Sequence, residues 1–174
     1  MNVPNFPNVR KVGPCSIPVA ALSLNGLARL DYQDAFAIEI PEGVRLTAED
    51  WARLVFRPDS AGDTLLLIAI GLGLGASRPA PQAQGIGAFN VLHATDDAIL
   101  LEALTRVGLV QIVVACEPSR VVLATFVTYR GPLSRACFEL LVRHGHRRAV
   151  PHLLNQAGTA AAGLSKATGT RWTA

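Results

Sequence analysis

The sequence is poor in cysteine, in aromatic residues and in charge, and each shortage excludes a class of protein. Its 174 residues include three cysteines, 6% aromatic residues and 17% charged residues, while 50% are hydrophobic. Such a chain can bury a core of its own, which excludes intrinsic disorder. Cys15, Cys116 and Cys137 are odd in number and irregularly spaced, which excludes a disulfide framework and indicates a reducing, cytoplasmic compartment.

Long hydrophobic runs are also missing. The most apolar run, Leu65 to Ala76, is about twelve residues long and too short to span a membrane. Gly13, Pro14 and Pro18 interrupt the weakly apolar stretch near the amino terminus, so it makes a poor signal peptide. The length predicts a single domain.

Motifs that would indicate a metal, a cofactor or a nucleophile are absent from the sequence. It contains no HExxH, no phosphate-binding loop and no Gly-x-Ser-x-Gly elbow. Gly71-x-Gly73-x-x-Ala76 spells a dinucleotide fingerprint, but that fingerprint must open a helix, and Pro79 and Pro81 exclude one. We therefore expect no metal and no cofactor, and no motif identifies a catalytic residue.

The small net charge of +3 conceals two oppositely charged halves. Residues 1–102 carry eleven acidic and seven basic residues, whereas residues 103–174 carry two acidic and nine basic residues. The basic half can offer a face to an anionic partner, or the two halves can offset each other when packed together. We favour internal packing and expect no nucleic-acid binding.

The first half predicts an extended arm over residues 1–30, a strand and two helices. Ala35 to Ile40 has strand character before Pro41, and Thr47 can cap a helix with Asp50 reaching back to it, a capping box. A second, fully apolar helix is predicted over Thr64 to about Leu72.

The second half predicts a four-strand antiparallel meander followed by a long helix. The strands are Ile86 to His93, Ala98 to Leu104, Leu109 to Cys116 and Val121 to Tyr129, and short links make neighbours antiparallel. After Pro132 an apolar stripe at helical spacing predicts the face that covers the sheet: Leu133, Ala136, Cys137, Leu140, Leu141 and His144. A further apolar set, Ala149 to Ala157, implies a kink or restart at Pro151, and residues 158–174 are predicted to be a loose tail.

Two groups of polar residues have alternative interpretations. Because side chains alternate along a strand, His93 is predicted to share a face with Phe89 and Val91. It can act as an acid–base group, or it can be a packed residue that is hydrogen-bonded to the backbone. A basic cluster late in the helix can hold an anion or a partner, or can pair with the acidic half: Arg143, His146, Arg147 and Arg148. In both cases we favour the structural role.

The order of these segments resembles a bacterial family known as a domain of unknown function, number twenty-eight sixty-seven. The resemblance covers most of residues 15–157 and rests on Asp31-Tyr32-Gln33-Asp34-Ala35-Phe36, Trp51, Val122 to Val127, and His146-Arg147-Arg148-Ala149-Val150-Pro151. That family is similar to the START-like, or SRPBCC, helix-grip superfamily. The resemblance implies an α+β helix-grip fold over residues 31–157, with a curved antiparallel sheet around a long carboxy-terminal helix and an apolar cavity. It carries over no catalytic residues.

Three functions follow as hypotheses. The first is binding of a small hydrophobic molecule between sheet and helix, with candidate contacts His93, Thr125, Tyr129, Cys137, Leu140, Leu141 and His144. The second is a cyclase-type or isomerase-type enzyme in the same cavity, with His93 or His144 as general base. The third is an accessory protein whose basic carboxy-terminal face binds an acidic partner. The oligomeric state stays open, a homodimer being one possibility.

Overall fold

A computed structural model describes residues 10–12, 16–40, 42–57, 85–105 and 108–169. These residues form an α+β fold, with one antiparallel sheet, two short helices and a long helical segment toward the carboxy terminus. The predicted helix over Thr64 to Leu72 and the glycine fingerprint at Gly71 lie outside the described residues.

The sheet contains seven described strands in the order β1-β2-β7-β6-β5-β4-β3. All neighbours are antiparallel, so the predicted meander is confirmed as β4 to β7, and β2 returns to pair with β7. The strands are β1 (Arg10–Val12), β2 (Tyr32–Glu39), β3 (Gly85–Ile86), β4 (Phe89–Ala94), β5 (Ala98–Leu104), β6 (Gly108–Cys116) and β7 (Arg120–Tyr129).

Helix α1 (Val19–Leu24) and helix α2 (Ala48–Val55) precede and follow β2. The capping box that starts α2 is confirmed, because the Thr47 side chain accepts from the backbone N–H of Asp50 and the Asp50 carboxylate accepts from the backbone N–H of Thr47. Helix α1 lies within the residues predicted to form an extended arm, so part of that arm is helical.

The two faces of the sheet are covered by different helices. On one face, Ala35, Val113 and Phe126 pack with Ile17 and Ala21 of the α1 region. The opposite face is covered by α2 and the carboxy-terminal helix, whose side chains join the sheet in the larger core: Phe36, Ile38, Trp51, Val55, Ile99, Leu101, Val114, Val121, Leu123, Val150, Leu153 and Leu154. We call this second side the helix face of the sheet.

The carboxy-terminal helical segment has three parts: α3 (Pro132–Cys137), a π-helical turn (Phe138–Val142) and α4 (Arg143–Gly169). Helix α4 runs through Pro151 without restarting, and it includes residues 158–169, which were predicted to be a loose tail. Within the described ranges, no helix has a stretch long and apolar enough to cross a membrane.

The predicted inward stripe of this helix is wrong. Leu133, Leu140 and Leu141 are 79%, 75% and 69% exposed, and His144 is exposed too. The buried face instead follows Phe138, His146, Ala149, Val150, Leu153, Leu154, Ala157 and Ala161. Stepping back from Leu153 by two helical turns reaches His146 on the same face of α4, and the π-helical turn before α4 places Phe138 rather than Leu140 or Leu141 on the buried side.

Candidate functional site

A buried hydrogen-bonded chain of three side chains joins β2 to α4. Asp34 is 3% exposed, and its Oδ1 lies 3.1 Å from Nε2 of His146, which is 8% exposed. The hydroxyl of Tyr32, also on β2, donates to Oδ2 of the same carboxylate. The two carboxylate oxygens of Asp34 thus contact polar side chains from two elements, Tyr32 of β2 and His146 of α4.

Strand alternation and helical spacing bring these groups together. Tyr32, Asp34, Phe36 and Ile38 occupy alternate positions of β2, and Phe36 and Ile38 pack in the core of the helix face. His146 lies two turns before Leu153 on the buried face of α4. The polar chain therefore continues the apolar core toward the amino-terminal end of β2.

The chemistry of the Tyr32–Asp34–His146 chain determines which of its groups donate hydrogen bonds. A carboxylate at Asp34 only accepts hydrogen bonds, so Nε2–H of His146 is the donor to its Oδ1. Burial, followed by the hydrogen bond and charge of Asp34, raises the pKa of Tyr32 far above its ordinary value, and the nearby Arg147 guanidinium opposes this shift. Tyr32 therefore stays protonated and remains a donor.

Thr125 lies beside the Tyr32–Asp34–His146 chain, and its hydroxyl has no partner within the described ranges. It is the register partner of Asp34 across β2 and β7, so both side chains are on the helix face. Thr125 is 3% exposed, and its Oγ1 makes no hydrogen bond with any residue that the structure describes. A buried hydroxyl without a partner costs about 1–3 kcal/mol, so its retention needs a reason.

An aromatic group closes the site toward the start of the helical segment. The ring of Phe138 lies 4.8 Å from that of Tyr32 and 5.4 Å from that of Tyr129, centroid to centroid. The Tyr129 hydroxyl donates to Glu139 over 3.5 Å, and burial together with the Glu139 charge raises the pKa of Tyr129 to about 12. Both tyrosines are thus neutral donors.

The sheet end below this aromatic group is held by Asp31. Its carboxylate accepts from the backbone N–H of Tyr129 at 2.8 Å and forms an ion pair with Arg29. The Tyr129 N–H is the main cause that lowers the pKa of Asp31. The charge of Asp31 therefore fixes the end of β7, next to the aromatic rings.

The structure brings only some of the predicted site residues together. Thr125 and Tyr129 lie on the helix face of β7, and the nearby histidine is His146 rather than His93 or His144. His144 is two residues from His146 and exposed, Cys137 is half-buried, and Leu140 and Leu141 point to solvent.

His93 lies on the opposite strand face from the one predicted. Val91 pairs with Leu101, whereas His93 pairs with Leu100, so a β-bulge interrupts the alternation between them. The side-chain alternation that would place His93 on the same face as Phe89 and Val91 is therefore broken after Val91. His93 is exposed and lies away from the Asp34–His146 pair.

The basic cluster predicted late in the helix does not form one patch. Arg143 is paired with Glu139 at 2.5 Å, and His146 is buried against Asp34. Arg147 and Arg148 are exposed. The Asp34–His146 pair joins the acidic half of the chain to the basic half, whereas Arg143 pairs with Glu139 inside the basic half.

From the sequence, Tyr32 and Asp34 precede the first strand and can cap a turn or lend a phenol to a pocket, but neither is among the predicted site residues. The sequence did contain a signal for them. Tyr32 and Asp34 fall on the same alternate positions as the apolar Phe36 and Ile38. An acidic residue in register with core positions of a strand is rarely buried without a partner.

No metal centre is found among the described residues, where no three histidine, cysteine or acidic side chains are grouped to hold an ion. Comparisons of the chain with protein-family models, with curated proteins and with solved structures found no match. The fold and the site define an α+β domain with a buried Tyr–Asp–His chain between sheet and helix.

Proposed function

We propose that this protein binds a small, mainly apolar molecule between the helix face of the sheet and the carboxy-terminal helix. The ligand would carry one hydroxyl or carbonyl group, received by Thr125 and by the free side of the His146 ring. The observation that carries the proposal is the buried hydroxyl of Thr125, which has no partner among the described residues, beside the Asp34–His146 pair.

The energetics support a role beyond stability. Burying an ionisable pair costs desolvation energy, and well-packed apolar residues in its place are often neutral or stabilising. Binding sites for small molecules typically combine apolar walls with a few placed polar groups. Phe138, Tyr129 and Val127 pack together as a buried apolar cluster beside the pair and would form such walls, and Thr125 and His146 would offer the polar groups.

The π-helical turn at Phe138–Val142 lies against this region. Such turns interrupt the regular hydrogen-bond ladder and are frequent at functional sites. Phe138 and Val142, which both belong to this turn, pack on Tyr32 and Tyr129. A shift within the turn would therefore move Phe138 away from the two tyrosine rings without moving α4.

The architecture agrees with this function at a coarse level. A long carboxy-terminal helix over an antiparallel sheet is compatible with a helix-grip fold. We therefore propose that the protein has this fold and is related to the family of unknown function that its sequence resembles. The reducing compartment indicated by the cysteines makes the cytoplasm the proposed location.

The proposal is tested by Thr125→Val against Thr128→Val, the same change on the same strand. The Thr128 hydroxyl donates to the carbonyl of Arg29, so its loss should lower the free energy of unfolding by about 1 kcal/mol. Removing the unpartnered Thr125 hydroxyl should instead raise it by about 1 kcal/mol. Urea denaturation measures both effects.

Ligand binding is measured on the same two variants. Small alcohols and ketones that raise the melting temperature of the wild type should lose this effect in Thr125→Val and keep it in Thr128→Val. A Thr125→Val variant that is destabilised like the control, or that responds to the same compounds as the wild type, would contradict the proposal.

A second candidate function is acid–base catalysis by His146. A solvent-shielded histidine oriented by a carboxylate is the arrangement of a general base, here with Nδ1 as the proton acceptor. It would take a proton from carbon next to a carbonyl group and return one from solvent. Exchange of deuterium from D₂O into a small ketone, followed by NMR, should then exceed the buffer rate, vanish in His146→Phe and persist in His144→Phe.

A further inference from the structure

A row of exposed leucines lies on the outer side of the carboxy-terminal helical segment. Leu133 of α3 is 79% exposed, and Leu140 and Leu141 of the π-helical turn are 75% and 69% exposed. Leu140 and Leu141 follow Leu133 by seven and eight residues, about two helical turns, so the three side chains lie on one side of the segment. We call these three residues the leucine row. Apolar side chains exposed together in this way mark interaction surfaces.

The chain around the leucine row is strongly basic. Residues 130–148 contain five arginines and one glutamate, which gives a net charge of +4 when the histidines are neutral. The single acid, Glu139, is already paired with Arg143 at 2.5 Å. Four arginines of this range therefore keep a positive charge that no acid of the same range neutralises.

Two of these arginines stand at the two ends of the leucine row. Arg130 precedes Leu133 by three residues, and Arg148 follows Leu140 by eight. Both arginine side chains are exposed, and neither forms an ion pair with any residue that the structure describes. Both guanidinium groups are therefore available to an anionic partner.

Helical spacing places Arg148 on the same side as the leucine row. Phe138 and His146 are eight residues apart across the π-helical turn, and both are buried. The same step of eight residues leads from Leu140 to Arg148, and both of these are exposed. The outer side of the segment thus presents apolar and cationic side chains together.

We propose that the leucine row docks on the surface of a lipid bilayer that carries anionic headgroups. The leucines enter the interface between headgroups and acyl chains, and Arg130 and Arg148 contact the lipid phosphates. The charge favours this partner over a second copy of the chain, because a two-fold interface brings each positively charged face against itself.

The protrusion of the leucines favours a bilayer over an acidic protein. A protein interface is closely packed, so a protein partner must supply a groove that matches the row. The interfacial region of a bilayer accepts protruding apolar side chains without such a match. The cytoplasmic leaflet of cell membranes is anionic, which agrees with the location proposed above. The proposal goes beyond the ligand site, since it rests on the outer side of the segment.

The test is co-sedimentation of the protein with lipid vesicles. Vesicles of phosphatidylcholine and phosphatidylglycerol at about three to one present a negative surface, and vesicles of phosphatidylcholine alone do not. The protein should bind the anionic vesicles about tenfold more tightly than the neutral ones, and a rise in salt from about 0.1 M to about 0.5 M should weaken this binding. Equal binding to the two kinds of vesicle, or binding to neither, would overturn the proposal.

The apolar part of the contact is tested by combining Leu140→Ser with Leu141→Ser. This variant should bind the anionic vesicles about tenfold more weakly, because two leucine side chains no longer leave water. The matched control combines Val19→Ser with Leu92→Ser, two exposed apolar positions on α1 and β4, and should bind like the wild type. Urea midpoints show that both variants are folded. Equal affinities of the two variants would contradict the proposal.

The ionic part of the contact is tested by Arg148→Gln. It should weaken binding to the anionic vesicles about fivefold and make binding less sensitive to salt. Arg45→Gln, at an exposed position before α2, is the control and should change neither quantity. The same loss in both variants would show that net charge alone, rather than this face, attracts the protein to the vesicles.

Two further measurements test the other partners. A dimer of the wild type in sedimentation velocity that the leucine variant breaks up would show a second copy on the row, against the proposal. Soluble polyglutamate that binds as tightly as the anionic vesicles would show an acidic protein as the partner instead. Thr125→Val should bind vesicles as the wild type does, so the ligand site and the membrane surface can fail separately.

Discussion

Nε2 of His146 lies 3.1 Å from Oδ1 of Asp34, although 112 positions separate the two residues in the chain. The contact joins the carboxy-terminal helix to the second strand, and it does so inside the protein, where both side chains are at least nine-tenths buried. Tyr32 donates to the other oxygen of the same carboxylate. This shared carboxylate is the centre of the proposed site.

The strength of that contact is measured by a double-mutant cycle of Asp34→Asn and His146→Phe. Each single change should lower the free energy of unfolding by about 2–3 kcal/mol, because Asp34→Asn removes the charge that His146 contacts and His146→Phe removes one of the partners of the buried Asp34 carboxylate. The free energy of unfolding of the double variant should fall by about 1–3 kcal/mol less than the sum of the two single-variant losses. Asp96→Asn with His144→Phe, both exposed, is the control cycle and should be additive. Additivity in the Asp34–His146 cycle would contradict the contact.

The rotation of the carboxy-terminal helix is tested by substitution on its two sides. Phe138→Ala and Leu153→Ala should each lower the free energy of unfolding by about 2–5 kcal/mol, since both side chains are buried. Leu140→Ser and Leu141→Ser should change it by less than about 0.5 kcal/mol. The reverse order of effects would show that the exposed leucines cover the sheet.

The close approach of β6 to β7 at Gly108 leaves no room for a side chain. A Cβ atom built there would lie 1.8 Å from the backbone oxygen of Thr128, which cannot move out of the sheet. Gly108→Ala should therefore lower the free energy of unfolding by more than about 2 kcal/mol. Gly131→Ala is the control, because a Cβ at Gly131 meets nothing within 4 Å. Equal urea midpoints for the two variants would contradict this packing.

The half-buried thiol of Cys116 makes stability depend on alkaline pH. The folded protein holds this proton up to about pH 11, whereas the unfolded chain releases it near 8.5. Between these values the unfolded state binds fewer protons, so stability falls as pH rises. Urea midpoints at pH 7, 9 and 10 should fall more steeply for the wild type than for Cys116→Ala. Parallel profiles would show that the thiol titrates alike in both states.

The sequence was sufficient to predict elements defined by local patterns. The strands β5, β6 and β7 lie within one residue of their predicted bounds at each end, because each is an apolar run closed by turn residues. The capping box of Thr47 and Asp50 was predicted for the same reason, since both partners lie within one turn of chain.

Features that depend on tertiary packing could not be predicted in this way. Two apolar stripes compete on the carboxy-terminal helix, and Phe138 rather than Leu140 faces the sheet across a π-helical turn that no local pattern predicts. The bulge before His93 adds one residue to a strand whose alternation gives no sign of it. Asp34 was not recognised because its partner, His146, comes from the far end of the chain.

The central claim is that His146 belongs to a ligand site, and native mass spectrometry of protein purified from its own host tests it most directly. The wild type should carry an additional bound mass that organic extraction releases, and His144→Phe should carry the same mass. His146→Phe, brought to the same folded fraction, should lose it. A wild type that shows only the mass of the chain, or a His146→Phe variant that retains the bound molecule, would contradict the account.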